Sequence, residues 1–303
     1  MTFGPVPLRD ALGGILAHSL SLSAGVLKKG TVLSAPDIAA LAAEGHDTVT
    51  VAQLGPDDVT EDDAARRSGE TLIAPDLRLG PAFTGRANII ADQAGVVRVD
   101  AAAVQAANGI DEGLTLATLP DLMRVAADQL VATVKIIPYG LPGQVVEAGV
   151  AALGETTLRL HPFQGGTARL VMTRTPGFKD SLLTKGEAVV RERLGSLSYR
   201  LDDVVVVPHE TTAVASAMAG GTDLTLILGA SATSDRADVA PAGVVAAGGQ
   251  ITRFGMPVDP GNLLFLGALN GAPVVGLPGC ARSPALNGVD WVLERLSARI
   301  PVT

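Results

Sequence analysis

The chain has 303 residues, 47% of them apolar and 18% charged, with a formal net charge of −8 at pH 7. That length can bury a large core and suits two or three domains, and the composition is that of an ordinary globular chain rather than a disordered one. The acidic balance argues against nucleic acid or an anionic membrane surface as the main partner, because either demands a basic face. A single cysteine, Cys280, excludes an internal disulfide and a cysteine-rich zinc site, and fits a reducing cytoplasm. Residues 1–25 carry no basic stretch followed by an apolar one, so no signal peptide is expected. No apolar run approaches the roughly 20 residues that span a bilayer. Aromatics make up only 3%, so the core must rest on small and branched side chains, which suits close helix–sheet packing.

Residues 8–17 read as a short amphipathic turn or helix entering a strand, and Lys28-Lys29-Gly30 as a turn before another. Ser34 is placed to cap a helix, with Asp37 three residues on as in a capping box. Ile38, Leu41 and Ala42 form its buried stripe, and Gly45 ends it. Residues 48–54 alternate as an exposed edge strand does. The acidic run Asp57-Asp58 and Glu61-Asp62-Asp63 reads as a solvated turn and helix N-terminus, with a metal site as the minority reading. Residues 1–66 thus form an N-terminal α+β unit.

Residues 67–154 read as a middle α/β unit. Asp100 caps a helix over 101–107 that Gly109 ends. Thr118-Leu119-Pro120-Asp121 opens a second helix, with Leu122, Val125, Ala126 and Leu130 at helical spacing. A strand over 131–137 stops at Pro138, and a helix returns over 144–153. His18, His46 and His161 stand apart without metal-ligand spacing. No Walker A sequence, nucleophile elbow or complete dinucleotide fingerprint occurs.

From residue 155 to 303 the pattern becomes regular. Strands are expected at 158–160, 170–173, 204–207, 224–228, 250–254, 263–266 and 274–277, and helices at 179–194, 211–219, 237–247 and 285–298. Gln164-Gly165-Gly166-Thr167 reads as a hairpin turn. Short apolar strands alternating with helices predict a mainly parallel sheet covered on both faces. In such sheets ligands bind at loops leaving the carboxyl ends of strands. Three loops of small residues fit that place: Gly229 to Asp238, Met256 to Asn262, and Pro278 to Ser283.

These loops resemble the molybdopterin-binding superfamily. Gly229-Ala230-Ser231, followed by Arg236-Ala237-Asp238-Val239-Ala240-Pro241, is similar to the Gly-Gly-Thr-Gly…Arg-x-Asp-Val-x-Pro signature of those domains. Val207-Pro208-His209-Glu210 stands where they carry Val-Pro-Asp-Asp/Glu. Asp259-Pro260-Gly261-Asn262 resembles the Lys-Pro-Gly-Lys loop of molybdopterin molybdotransferase, and Leu277-Pro278-Gly279-Cys280 its Leu-Pro-Gly-Asn loop. The resemblance covers about residues 156–300. It departs from the family at Ala230, at His209, and at Asp259 and Asn262, where the family has lysines that neutralise phosphate charge.

The resemblance implies an α/β fold: a three-layer α/β/α domain at the C-terminus, preceded by the smaller α+β units. It implies molybdopterin or the molybdenum cofactor as ligand, with Mg²⁺ assisting where chemistry occurs. Ser231, Thr233 and Ser234 would offer hydroxyls to a pterin or phosphate, or cap the following helix. Asp235 and Asp238 would act as catalytic residues holding Mg²⁺ or orienting a metal oxyanion, or serve as caps that complement the helix dipole. Arg236 would clamp a phosphate or pair on the surface. His209 would act as a base, a ligand or a pterin contact, with Glu210 beside it, or the pair would cap a helix together. Asp259, Pro260, Gly261 and Asn262 form a ligand loop or a plain turn. Pro278, Gly279, Cys280, Arg282 and Ser283 form another, with Cys280 either a soft sulfur near the dithiolene or a small buried residue. The implied function is binding of molybdopterin or cofactor in biosynthesis, insertion or delivery to a molybdoenzyme. The rivals are a Mg²⁺-dependent molybdotransferase- or adenylyltransferase-like enzyme, and a nucleotide pyrophosphatase-like reuse of the fold. A homo-oligomer is expected.

Overall fold

The computed structural model describes residues 1–302. The chain is a mixed α/β protein and divides into two compact units, Met1–Leu160 and His161–Thr303.

The first unit opens with β1 (Thr2–Pro7), β2 (Ile15–Leu16), β3 (Leu20–Leu22) and β4 (Gly25–Leu27), then α1 (Ala35–Ala43) and β5 (Thr48–Gln53). The Ser34 capping box forms as its spacing predicts, with Ser34 and Asp37 each taking the other's backbone N–H. Residues 48–54 do not form an edge strand. In the sheet β1-β5-β2, β5 is central; its alternation marks one buried face, not an outer position. Leu8, Leu16, Leu33, Leu41, Val49 and Val51 make a small core there.

Next come β6 (Asp58–Thr60), α2 (Glu61–Glu70), β7 (Leu77–Leu79), β8 (Arg86–Ala91), β9 (Gly95–Val99) and α3 (Ala101–Asn108). They are followed by β10 (Leu114–Thr118), β11 (Met123–Val125), β12 (Leu130–Ile136), β13 (Gly140–Pro142), α4 (Gly143–Ala152) and β14 (Leu158–Pro162). The acidic run is a turn and the first turn of α2, which Thr60 caps. Asp100 caps α3 through the N–H groups of Ala102 and Ala103. Sheets β10-β12-β8-β7 and β11-β9-β14 share one core with α2, α3 and α4, built around Ala65, Ile89, Leu114, Ile136, Val146 and Leu158.

The helix expected after Thr118 is absent. Leu122 adopts φ +64°, and β11 pairs antiparallel with β9. Asp121 fixes that pairing, accepting from Val99 N and Arg98 Nε, both at 2.9 Å. A left-handed residue and a cross-strand carboxylate override helical spacing.

The second unit runs β15 (Gly166–Arg174), α5 (Asp180–Gly195), β16 (Tyr199–Pro208), α6 (Thr211–Ala217) and β17 (Leu224–Leu228). It continues with α7 (Val239–Ala246), β18 (Gln250–Phe254), β19 (Phe265–Leu269), β20 (Ala272–Leu277) and α8 (Gly288–Ser297). The strand expected at 263–266 begins two residues later, as β19. Residues 164–167 are no hairpin, because β14 joins β9 while β15 enters a different sheet. Gly165 is instead pressed against Ser198, where an added Cβ would lie 2.0 Å from the carbonyl oxygen.

The six strands are ordered β16-β15-β17-β20-β19-β18; the first four are parallel, and β19 runs antiparallel to both neighbours. Alternate residues of one strand enter different cores. Leu170 and Met172 face Leu183, Val190 and Leu194 of α5 and Val289 and Val292 of α8. Val171 faces Val214 of α6 and Ala240 and Val244 of α7. Burial on both faces explains why β17 is apolar on both, with Thr225 its one polar residue. No helix among the described residues is long and apolar enough to cross a membrane.

Phe265 lies opposite Gly276 in the β19–β20 pair, and a Cβ at Gly276 would lie 1.9 Å from its ring. Gly276→Ala is expected to lower stability by about 1–3 kcal/mol through overpacking, measured by urea unfolding; unchanged stability would mean that the ring is free to move aside.

Candidate functional site

The parallel register levels the strand ends. Thr173 pairs with Val207, Met172 with Leu228, and Leu228 with Leu277. The loops after β15, β16, β17 and β20 therefore leave from one edge. The chain steps from β15 to β16 on one side and then crosses to β17 on the other, so the order reverses at β15. Crevices of this kind, outside the carboxyl ends of strands, bind ligands in open α/β sheets.

Thr173 is fully buried at this edge. Its Oγ1 lies 2.8 Å from His209 Nδ1 and accepts from Ala230 N at 2.8 Å. With an oxygen lone pair used by Ala230, the buried hydroxyl satisfies its own proton by donating to Nδ1. The hydrogen-bond network thus assigns the proton of neutral His209 to Nε2. The His209 N–H also donates to Arg174 O at 3.0 Å. Neither His209 nor Glu210 caps α6 by its side chain, so the paired capping expected for them does not occur.

Arg282 joins the last loop to the others. Its Nη2 donates to Gly229 O at 2.6 Å, and its guanidinium lies 5.8 Å from the Phe178 ring centre. Gly186 of α5 makes room for Leu228, since a Cβ there would lie 2.9 Å from Leu228 Cδ2, and it stands at ordinary contact distance from Arg282 Cγ, 3.7 Å. Arg282 is half-buried, has no ion-pair partner among the described residues, and desolvation alone pulls its pKa down. Arg193 of α5 builds the surrounding loop. It pairs with Asp290 at 2.7 Å and donates to the carbonyls of Ala281, Ser283 and Ala285 at 2.7–2.8 Å. Gly279, Cys280 and Ser283 are exposed, so Cys280 is not the small buried residue that its type suggests; Pro278 is buried.

Ser231, Thr233 and Ser234 present hydroxyls that have no protein partner among the described residues. Asp238 accepts from Ser234 N at 3.1 Å and Val239 N at 2.7 Å, and Asp235 from Ala237 N at 2.7 Å. Both carboxylates thus cap and shape the loop. No group of three or more histidine, cysteine or acidic side chains suited to a metal forms among the described residues. This donor set does not by itself fit Mg²⁺, which needs oxygen ligands in octahedral array. Arg236 turns to β18, donating to Ile251 O at 3.2 Å and lying 5.9 Å from the Phe254 ring centre.

The Asp259-Asn262 loop leaves β18 at the same edge. It is anchored to the start of α8 through Gly288 N donating to Pro260 O at 2.9 Å. Gly261 has φ +131°, and an added Cβ would lie 2.7 Å from Gly288 N. Asp259 and Asn262 are exposed.

Sequence reasoning missed Thr173, Phe178 and Arg193; only the place of Thr173 near a strand end could have pointed to it. It also did not bring His18 and His46 together, which line a shallow cavity of about 160 Å³ in the first unit with Leu16, Thr48 and Thr50.

A family model described as a domain of unknown function (DUF8806) matches residues 5–53. No curated protein matches the chain. Solved structures similar to it include a molybdopterin biosynthesis moea protein from Pyrococcus horikosii, at 14% identity and a TM-score of 0.34, covering 98% of this chain and 75% of that one. A molybdopterin biosynthesis protein from Mycobacterium abscessus matches at 20% identity and a TM-score of 0.29, over 44% of this chain and 92% of its own. CinA from Thermoplasma acidophilum, a protein of unknown function, matches at 15% and 0.31, over 39% and 91%.

Thr173→Val should cost about 1–3 kcal/mol, because it strands the Ala230 N–H and His209 Nδ1, while Thr173→Ser should keep most of the stability; urea unfolding of both variants decides. Asp238→Ala should cost about 0.5–2 kcal/mol as the loss of an N-cap; no loss in thermal or chemical unfolding would show that the carboxylate does not hold the loop.

Proposed function

We propose that the second unit binds molybdopterin or the molybdenum cofactor at the carboxyl edge of its sheet, in cofactor biosynthesis, insertion or delivery. On this reading the domain is a three-layer α/β/α member of the molybdopterin-binding superfamily. The observation that carries it is Arg282: a half-buried cation with no carboxylate partner among the described residues, where the loops after β15, β17 and β20 meet. A buried charge without a partner is costly, and an anion arriving there relieves the cost. The phosphate of a pterin is such an anion. Phe178 beside it supplies an apolar face, and the free hydroxyls of Ser231, Thr233 and Ser234 supply donors for phosphate or pterin oxygens.

The reading is of binding rather than catalysis. Asp235 and Asp238 hold the loop backbone, and Asp259 and Asn262 bring no positive charge to a phosphate. His209, held with Nε2–H as donor, suits recognition of a ring nitrogen or oxygen.

Titration of the purified protein with molybdopterin and with the molybdenum cofactor should show tighter binding of at least one than of a generic pterin lacking the phosphate. Arg282→Gln should weaken that binding about tenfold or more, the equivalent of about 1.4 kcal/mol. Equal affinity for the generic pterin, or an Arg282→Gln variant that binds as well as the wild type, would falsify the reading.

A further inference from the structure

The first unit holds a cavity of about 290 Å³, near the lower end of the roughly 300–1,000 Å³ that small-molecule pockets span. Its wall combines Lys29, Glu61 at the start of α2, Thr84 before β8, Lys135 near the end of β12, and Tyr139. Two ammonium groups thus meet one carboxylate in a protein whose net charge is −8. The Lys29 ammonium lies 5.7 Å from the Tyr139 ring centre. Tyr139 directs its hydroxyl to the carbonyls of Leu16 and Ala17, at 3.4 and 3.2 Å. Lys135 Nζ donates to Thr84 O at 2.6 Å, which leaves two of its three N–H bonds free. Neither lysine forms an ion pair among the described residues, although Glu61 is near enough to feel both.

The backbone at the wall is specialised. Thr84 and Gly85 have φ +52° and +66°, and flank the centre of a two-residue turn between Phe83 and Arg86. Left-handed geometry at both central positions is that of a type I′ turn, which a β-branched residue such as threonine disfavours. The Lys135 bond to Thr84 O holds it there. At Gly85 an added Cβ would lie 2.6 Å from Glu61 Oε2, so glycine makes room for that carboxylate. Asp62, beside it on α2, accepts from Gly85 N at 2.7 Å. Burial pushes the Glu61 carboxyl up, and the Asp62 charge adds to this, while Lys135 and Lys29 oppose it. A strained turn, a cradled carboxylate and two unpaired lysines around one concavity are arranged for a ligand rather than for stability.

We propose that this cavity binds a small oxyanionic metabolite, a phosphate ester or a carboxylate. Lys29 and Lys135 clamp the anionic group, and Glu61 meets a hydrogen-bond donor on the same molecule. The proposal is independent of the pterin reading and survives or fails without it.

The test is calorimetric titration of the full chain, at low ionic strength where screening is weak, with inorganic phosphate and separately with succinate. At least one should bind saturably to the Arg282→Gln chain, in which the second unit's proposed anion site is weakened, and which one binds names the anion class. Lys29→Gln and Lys135→Gln should each weaken binding about tenfold, Glu61→Gln should tighten it, and Lys28→Gln, next to the site but outside its wall, should leave it unchanged. In the wild-type protein the bound anion should also protect Lys29 and Lys135, but not Lys28, from acetylation read by mass spectrometry. That readout does not depend on how the variants fold. Binding of neither anion, equal affinity in folded Lys29→Gln and Lys135→Gln variants, or uniform acetylation with and without anion would overturn the proposal.

Discussion

One buried hydroxyl sets the geometry of the second unit's sheet edge. Thr173 Oγ1 ties the exit of β16, through His209, to the exit of β17, through Ala230. It can reach both only because the register brings the ends of β16, β15 and β17 level, with β15 in the middle. That order in turn comes from a crossover on each face: α5 packs on one side of the sheet and α6 on the other. The position of the imidazole and its Nε2–H therefore depend on the whole βαβ arrangement and not on the loop sequence alone. Because the hydroxyl is both donor and acceptor, neither loop can move without stranding a buried polar group.

Two arginines around this edge are satisfied by the protein to different degrees. Arg193 has Asp290 and three carbonyls, so its guanidinium is satisfied by the protein. Arg282, a few ångströms of chain away from those carbonyls, has one carbonyl and a ring face. An arginine has five N–H donors in a fork that matches phosphate and carboxylate. On the proposed reading, the phosphate completes the part of that fork that the protein leaves unused. On the proposal for the first unit's cavity, Lys29 and Lys135 are in the same position.

Where structure follows from local rules, the sequence was a good guide. The Ser34-Asp37 box, the Asp100 cap and the β17 run are fixed by neighbours within a few residues, and all form at their expected places. The segment after Thr118 misleads because its helical spacing is overridden by Asp121 bonding to β9, more than 20 residues away. Residues 48–54 mislead because alternation reports which face is buried and says nothing about how many strands lie beside it. The edge loops of the candidate site could be read because small residues follow apolar runs. Thr173 could not, since a threonine in a strand is unremarkable until register sets it beside two loops. Lys29, Glu61 and Lys135 lie far apart in sequence, and only the fold brings them to one cavity.

The loop chemistry that departs from the molybdopterin-binding pattern has a physical counterpart in the fold. In that pattern positive charge comes from lysines flanking Pro-Gly; here the same place holds Asp259 and Asn262, both exposed. Gly261 lets the chain of this loop pass against Gly288 at the start of α8. On the proposed reading, the cation sits elsewhere. Arg282 lies in the loop that leads into that same helix, and its desolvation makes its interaction with an anion stronger than that of a lysine in open water. On the proposed reading, a solvated pair of lysines suited to a charge-building reaction gives way to one fixed, partly buried guanidinium suited to holding a phosphate at rest.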